Sequence, residues 1–168
     1  MNCIDVQFSS LSDAEGYFIF NKDSTRDRLT IFVDNSYKIR DDILTSFLLS
    51  HELSHAVTYI MRLSNGFQID NTTEDCYRQE AMAFISQLDF FTYSMNKEEQ
   101  NSLLSRMLTT NKGENSPLET VLMLVQIQYN ASLQCRQSDI DCQSKVTTDE
   151  ILRMVKENPF YQKQCANQ

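Results

Sequence analysis

Apolar and polar positions change period about a quarter of the way along the chain. Residues 16–20 (Gly-Tyr-Phe-Ile-Phe) and 29–33 (Leu-Thr-Ile-Phe-Val) are short runs rich in aromatic and β-branched residues, which predicts two strands. The polar connector at residues 21–28 then reads as a hairpin loop, so the strands are expected to be antiparallel, with a third strand at residues 4–8. Asp34-Asn35-Ser36 breaks the second strand. From there the apolar residues recur at helical spacing. A helix is predicted over residues 41–61, where Ile43, Leu44, Phe47 and Leu48 make one stripe and Leu53, Ala56, Val57 and Ile60 a second, so both sides are expected to be buried. Asn65-Gly66 supplies a stop, followed by a polar loop at residues 67–73.

A second helix is predicted over residues 73–91, with Thr73 as N-cap and Glu74 and Asp75 in its first turn. Its stripe is Tyr77, Ala81, Phe84, Ile85, Leu88 and Phe91, and Glu80 falls inside it. Further helices are expected at residues 96–108 and at 117–133, where Pro117 suits a first turn after the polar break at 112–116. A last helix at 148–158 would begin with Thr147 or Thr148 and Glu150 in capping positions and end at Pro159. Nothing repeats. The chain reads as one domain, with the chemistry in residues 1–95 and a helical part in residues 96–168.

Composition narrows the functional classes. The chain has 168 residues, long enough to bury a core without staples. Its net charge of −8 provides no basic patch for a nucleic-acid backbone. No stretch approaches the roughly 18 apolar residues of a membrane span. A monomer is expected. Of the five cysteines, Cys135 and Cys142 bracket a short polar loop and could close a small ring in an oxidising compartment, while the odd count leaves at least one thiol free. Asn71-Thr72-Thr73 and Asn130-Ala131-Ser132 fit the glycosylation pattern, which is common by chance. The favoured expectation is an exported protein, periplasmic or extracellular, whose leader lies outside this chain. The alternative is a cytoplasmic protein with reduced, buried thiols.

The chemistry lies in His51-Glu52-Leu53-Ser54-His55, which contains both histidines of the chain. Residues four apart share a helix face. Both imidazoles can therefore reach one ion, while Glu52, about 100° round from His51, can reach a water on it. In a chain with two histidines, this pattern arises by chance on the order of one time in a thousand. Two imidazoles need a third protein ligand to make a catalytic zinc site. Glu80 is the candidate, because a carboxylate facing the core is costly unless it is paired or binds a cation. Glu74 and Asp75 are the substitutes, and a Glu80 salt-bridged to Arg78 is the structural alternative.

A strand pair, a helix with His51-Glu52-x-x-His55 and a second helix donating a glutamate after 24 intervening residues resemble the gluzincin zinc metallopeptidases, in particular the small minigluzincins. Glu80-Ala81-Met82-Ala83-Phe84 is also similar to the Glu-Ala-x-x-Phe pattern of ImmA/IrrE-type metallopeptidases. The resemblance covers about residues 16–91. It implies an α+β, zincin-like fold: a small antiparallel sheet packed on an active-site helix and a glutamate-donating helix, with further C-terminal helices. It also implies Zn2+ held by His51, His55 and Glu80, with Glu52 as general base. The chain departs from thermolysin-type members at Phe84, where they have an aspartate, and it lacks their downstream histidine. The oxyanion partner would then be Tyr77 or Arg78, of which Arg78 is expected to pair with Glu74. Residues 29–33 are the expected edge strand for an extended peptide. Two other readings stand beside a general peptidase: a regulatory protease specific for one protein partner, and a non-catalytic metal-binding interaction module. Residues 160–168 form a candidate plug for the cleft.

Overall fold

The computed structural model describes residues 4–12, 15–22, 27–38, 42–66, 72–109, 117–136 and 138–166. The fold is α+β and mostly helical, and the chain divides into two compact units, Met1–Ile69 and Asp70–Gln168.

In the first unit, β1 (Ile4–Ser9), β2 (Gly16–Lys22) and β3 (Asp27–Asp34) form one sheet in the order β1-β3-β2. β2 and β3 pair antiparallel, with Tyr17 opposite Phe32 and Phe18 opposite Ile31. Strand extends into the connector from both sides, and its remaining residues, 23–26, lie outside those described. The sheet as a whole is mixed, which corrects the antiparallel expectation: β1 runs parallel to β3, with Ile4 opposite Leu29 and Phe8 opposite Val33. The reason is the connection from β1 to β2, which takes the chain past the end of β3 in place of a hairpin. Asp34 fastens both flanks of that connection. Its Oδ2 accepts from the Leu11 N–H at 2.9 Å, and its own N–H donates to the Glu15 carbonyl at 2.9 Å.

β3 is therefore the central strand. Leu29, Thr30, Ile31 and Val33 are buried, as a strand paired on both edges and covered on both faces requires. The edge role expected for residues 29–33 does not hold, and the unpaired edges among the described residues belong to β1 and β2.

Asp34 also caps the short 3-10 turn Asn35–Tyr37 by accepting from the Ser36 N–H at 2.8 Å. Hydrogen bonds from the Ser36 side chain, and then from the Leu11 and Ser36 backbone, favour the carboxylate and lower its pKa from 3.8 to about 2. A depressed acid pKa contributes stability above the unfolded value, and that contribution is lost as pH falls through the folded one. An Asp34→Asn chain should therefore melt below wild type near neutral pH, with the gap closing between pH 3.8 and about 2. Thermal midpoints across that window check it, and a gap that persists at the acid end would assign the loss to something other than the charge.

Helix α1 (Asp42–Ser64) follows and runs three residues beyond the predicted end. It stops where Asn65 Nδ2 bonds the Met61 carbonyl at 2.8 Å and Gly66 takes φ 69°, the left-handed conformation that glycine adopts freely. Leu44, Phe47, Leu48, His51, Glu52 and Ala56 are buried. The second stripe is buried only at Ala56: Leu53, Val57 and Ile60 are each more than a third exposed. α1 packs mainly on β2, where Tyr59 meets the Phe18 ring at 5.9 Å. Burying side chains such as Phe47 and Ile31 contributes about 1.5–3 kcal/mol each, and both are fully enclosed.

The second unit is helical: α2 (Thr73–Asp89), α3 (Lys97–Thr109), α4 (Pro117–Gln134), α5 (Ile140–Glu157) and α6 (Pro159–Ala166), with a π turn at Phe90–Ser94. The predicted break at residues 112–116 lies outside the described residues, as do most of the loop at 67–73, Asn71 and Cys3. Asn96 opens α3 with reciprocal bonds: its Oδ1 accepts from Glu99 N–H at 3.0 Å, and its N–H donates to Glu99 Oε2 at 2.8 Å.

α5 begins eight residues before the predicted 148, because Asp139 supplies the cap, accepting from the Cys142 N–H at 3.0 Å. Pro159 ends α5 and also opens α6, where Asn158 Oδ1 accepts from the Phe160 N–H at 2.9 Å. α5 packs on α2 and α4, enclosing Ile151, Val155, Val121 and Leu124. Two disulfides are formed, the expected Cys135–Cys142 and a second, Cys76–Cys165. No described helix is long and apolar enough to cross a membrane.

Candidate metal centre

α1 presents its two histidines on one face because they lie one turn apart. Their rings meet edge-on with centroids 4.9 Å apart and planes at 76°. His51 is 8% exposed and Glu52 6%, while His55 is half-buried. Glu52 lies against the start of β2. A Cβ added to Gly16 would sit 3.1 Å from Glu52 Oε1 and 3.2 Å from the Phe32 carbonyl oxygen, so the strand approaches the carboxylate more closely than a side chain comfortably allows. Sequence reasoning did not single out Gly16. The available signal was a glycine opening an otherwise bulky strand, a mark of close backbone approach.

On α2 the N-cap is Thr72, one residue before the expected Thr73, accepting from the Asp75 N–H at 3.2 Å. Glu80 is 6% exposed, among Cys76, Ala81, Ala83 and Phe84 as buried neighbours on the same helix. The substitutes are engaged elsewhere. Glu74 pairs with Lys156 at 2.9 Å and with Arg78 at 3.4 Å, and the Lys156 hydrogen bond above all keeps its carboxyl below the usual carboxylate range. Asp75 accepts from Gln79 Nε2 at 2.7 Å. Arg78 thus has the partner its spacing suggests. Tyr77 is half-buried, one turn before Glu80. The partner that the sequence did not reveal is Gln164 on α6, whose Nε2 donates to Glu80 Oε1 at 2.9 Å.

One ligand atom from each of His51, His55 and Glu80 lies within 4.8 Å of the other two, a group that could hold a metal ion. No other such group of His, Cys, Asp and Glu occurs among the described residues. Two imidazole nitrogens and a carboxylate oxygen fit a borderline divalent cation, and three protein donors leave a position for water or substrate. No protein-family model matches the chain, and neither the curated proteins nor the solved structures give a match.

Proposed function

We propose that the protein is a zinc-dependent metallopeptidase of the gluzincin type, with His51, His55 and Glu80 as metal ligands and Glu52 as general base. The observation that carries this reading is the approach of three ligand atoms from side chains the sequence had already singled out. The same donor set can serve a mononuclear iron oxygenase. The buried carboxylate of Glu52, adjacent to His51 on α1, favours hydrolysis instead, because that chemistry needs a base beside the ion.

A bound zinc ion supplies Lewis acidity, lowering the pKa of water towards neutrality and polarising a carbonyl oxygen. Glu52 accepts a proton at its carboxylate as water attacks the scissile carbonyl carbon. It returns that proton to the amine nitrogen as the carbon–nitrogen bond breaks. The Tyr77 hydroxyl, one helical turn from Glu80, is the proposed donor to the developing oxyanion. Substrate grip is assigned to the edge of β2 that no described strand pairs, which takes over the role first expected of residues 29–33: an extended peptide pairing there would run past Gly16 and the Glu52 carboxylate. The two disulfides support an oxidising, exported setting.

The test is zinc affinity together with hydrolysis of unrelated unfolded peptides. Glu80→Ala and His55→Ala should each weaken zinc by about 100-fold, the upper end of what loss of even an outer-shell partner produces. Wild-type affinity in both variants would reject the ligand set. Zinc bound with no peptide cleaved would favour a protease dedicated to one partner, or the non-catalytic module.

A further inference from the structure

Three residues on successive turns of α2 meet three residues of α6 in reversed order. Cys76 is joined to Cys165, Glu80 accepts from Gln164 at 2.9 Å, and Phe84 meets the Tyr161 ring edge-on at 5.7 Å. The hydrogen bond to Glu80 is therefore bracketed by a covalent link one turn before it and an aromatic contact one turn after it. Gln164 is the chain neighbour of Cys165, which is 1% exposed, so the staple fixes the backbone that carries the amide. α6 has eight residues, too few to hold a helix by itself.

We propose that Gln164 is a positioning residue for the Glu80 carboxylate and that the Cys76–Cys165 disulfide keeps it in place, making the zinc affinity of the centre depend on an intact staple. The proposal rests on the metal-centre reading given above. The terminal glutamate torsion is broad and roughly two-fold, so an unconstrained carboxylate samples many planes. An amide donor on Oε1 selects one of them, and because a carboxylate offers about four lone-pair sites, that one donor does not prevent it from also binding a cation. Outer-shell partners of this kind typically change metal affinity by 10–100-fold. The geometry thus favours an orienting role for this segment over the plug that the sequence allowed.

The test measures zinc affinity of the full chain by chelator competition, without thiol reductants, for wild type, His55→Ala, Gln164→Leu and the Cys76→Ser/Cys165→Ser pair. Gln164→Leu keeps the disulfide and an apolar stem of similar bulk and removes the amide, its donor and its acceptor together. It should weaken zinc about 10–100-fold, while the zinc-free protein still folds and unfolds cooperatively, its melting temperature lowered only as far as the loss of one hydrogen bond to a buried carboxylate requires. A merely structural role would lower the melting temperature without moving the zinc affinity of the folded chain. The cysteine pair should weaken zinc at least as much, and adding Gln164→Leu to it should do little more, since both act through one contact. Unchanged or tighter zinc binding in Gln164→Leu, alongside loss in His55→Ala, overturns the positioning role, and tighter binding would identify Gln164 as a blocker. A folded cysteine variant with wild-type affinity overturns the dependence on the staple. If the wild type binds no zinc in a His55-dependent way, the metal centre itself fails, and the proposal with it.

Discussion

Glu52→Gln should leave zinc bound and remove peptidase turnover. A general base contributes about 10²–10⁴-fold to such a reaction, and the glutamine amide keeps the shape of the carboxylate while losing its capacity to take a proton. Shape matters here because Glu52 is 6% exposed and its Cγ and Oε1 lie against Gly16. The substitution therefore preserves the packing of β2 on α1 and changes only the proton acceptor. The comparison needs two readouts from the same preparation: zinc per chain, and the rate of cleavage across several unrelated unfolded peptides. Full zinc with turnover down by at least about 100-fold fits the base role. Turnover within a factor of two of wild type would remove Glu52 from the mechanism. If neither protein cleaves anything while both hold zinc, a dedicated partner or a non-catalytic role becomes the better account.

The residues of the centre were legible because each was marked by a local pattern. The histidines stand one turn apart, and Glu80 interrupts an apolar stripe in which a carboxylate is out of place, so periodicity alone singled it out. The helix-forming stretches and the β2–β3 pair were legible for the same reason. What a local pattern cannot carry is the choice among distant partners. Ile4 to Phe8 reads as a strand in any register, and its parallel pairing with β3 goes with contacts of Leu11 and Glu15 to the distant Asp34. The run Leu29 to Val33 did contain a usable signal, since an apolar and β-branched stretch with little alternation marks a strand buried on both faces, the position of an interior strand.

Periodicity likewise says which residues of α1 share a face and not whether that face is covered, which is why Leu53, Val57 and Ile60 proved exposed. α6 could have been found, because Asn158-Pro159 matches a helix start as well as a helix end. Cys76–Cys165 could not, since five cysteines leave many pairings and spacing favours only the nearest pair. That blind spot hid Gln164 too, because the contact with Glu80 spans 84 positions of sequence.

The two disulfides should differ in their stability effect by roughly a factor of two. Cys76–Cys165 closes a loop with sequence separation 89, nearly all of the second unit, whereas Cys135–Cys142 spans only 7. Cross-linking restricts the unfolded chain more as the loop lengthens, by about 4–5 kcal/mol for the long loop and about 2–3 kcal/mol for the short one. Cys76→Ser/Cys165→Ser should therefore lower the unfolding free energy by about 4–5 kcal/mol, a large share of the 5–15 kcal/mol typical of a domain. Cys135→Ser/Cys142→Ser should lose about half as much. Urea unfolding with zinc chelated is the suitable measurement, because bound metal would otherwise add its own stabilisation of the folded chain and mix the two effects. Equal losses from the two pairs would mean that unfolded-chain entropy is not the governing term. A loss in Cys76→Ser/Cys165→Ser that appears only when zinc is present would instead place the role of this staple in holding Glu80 for the metal.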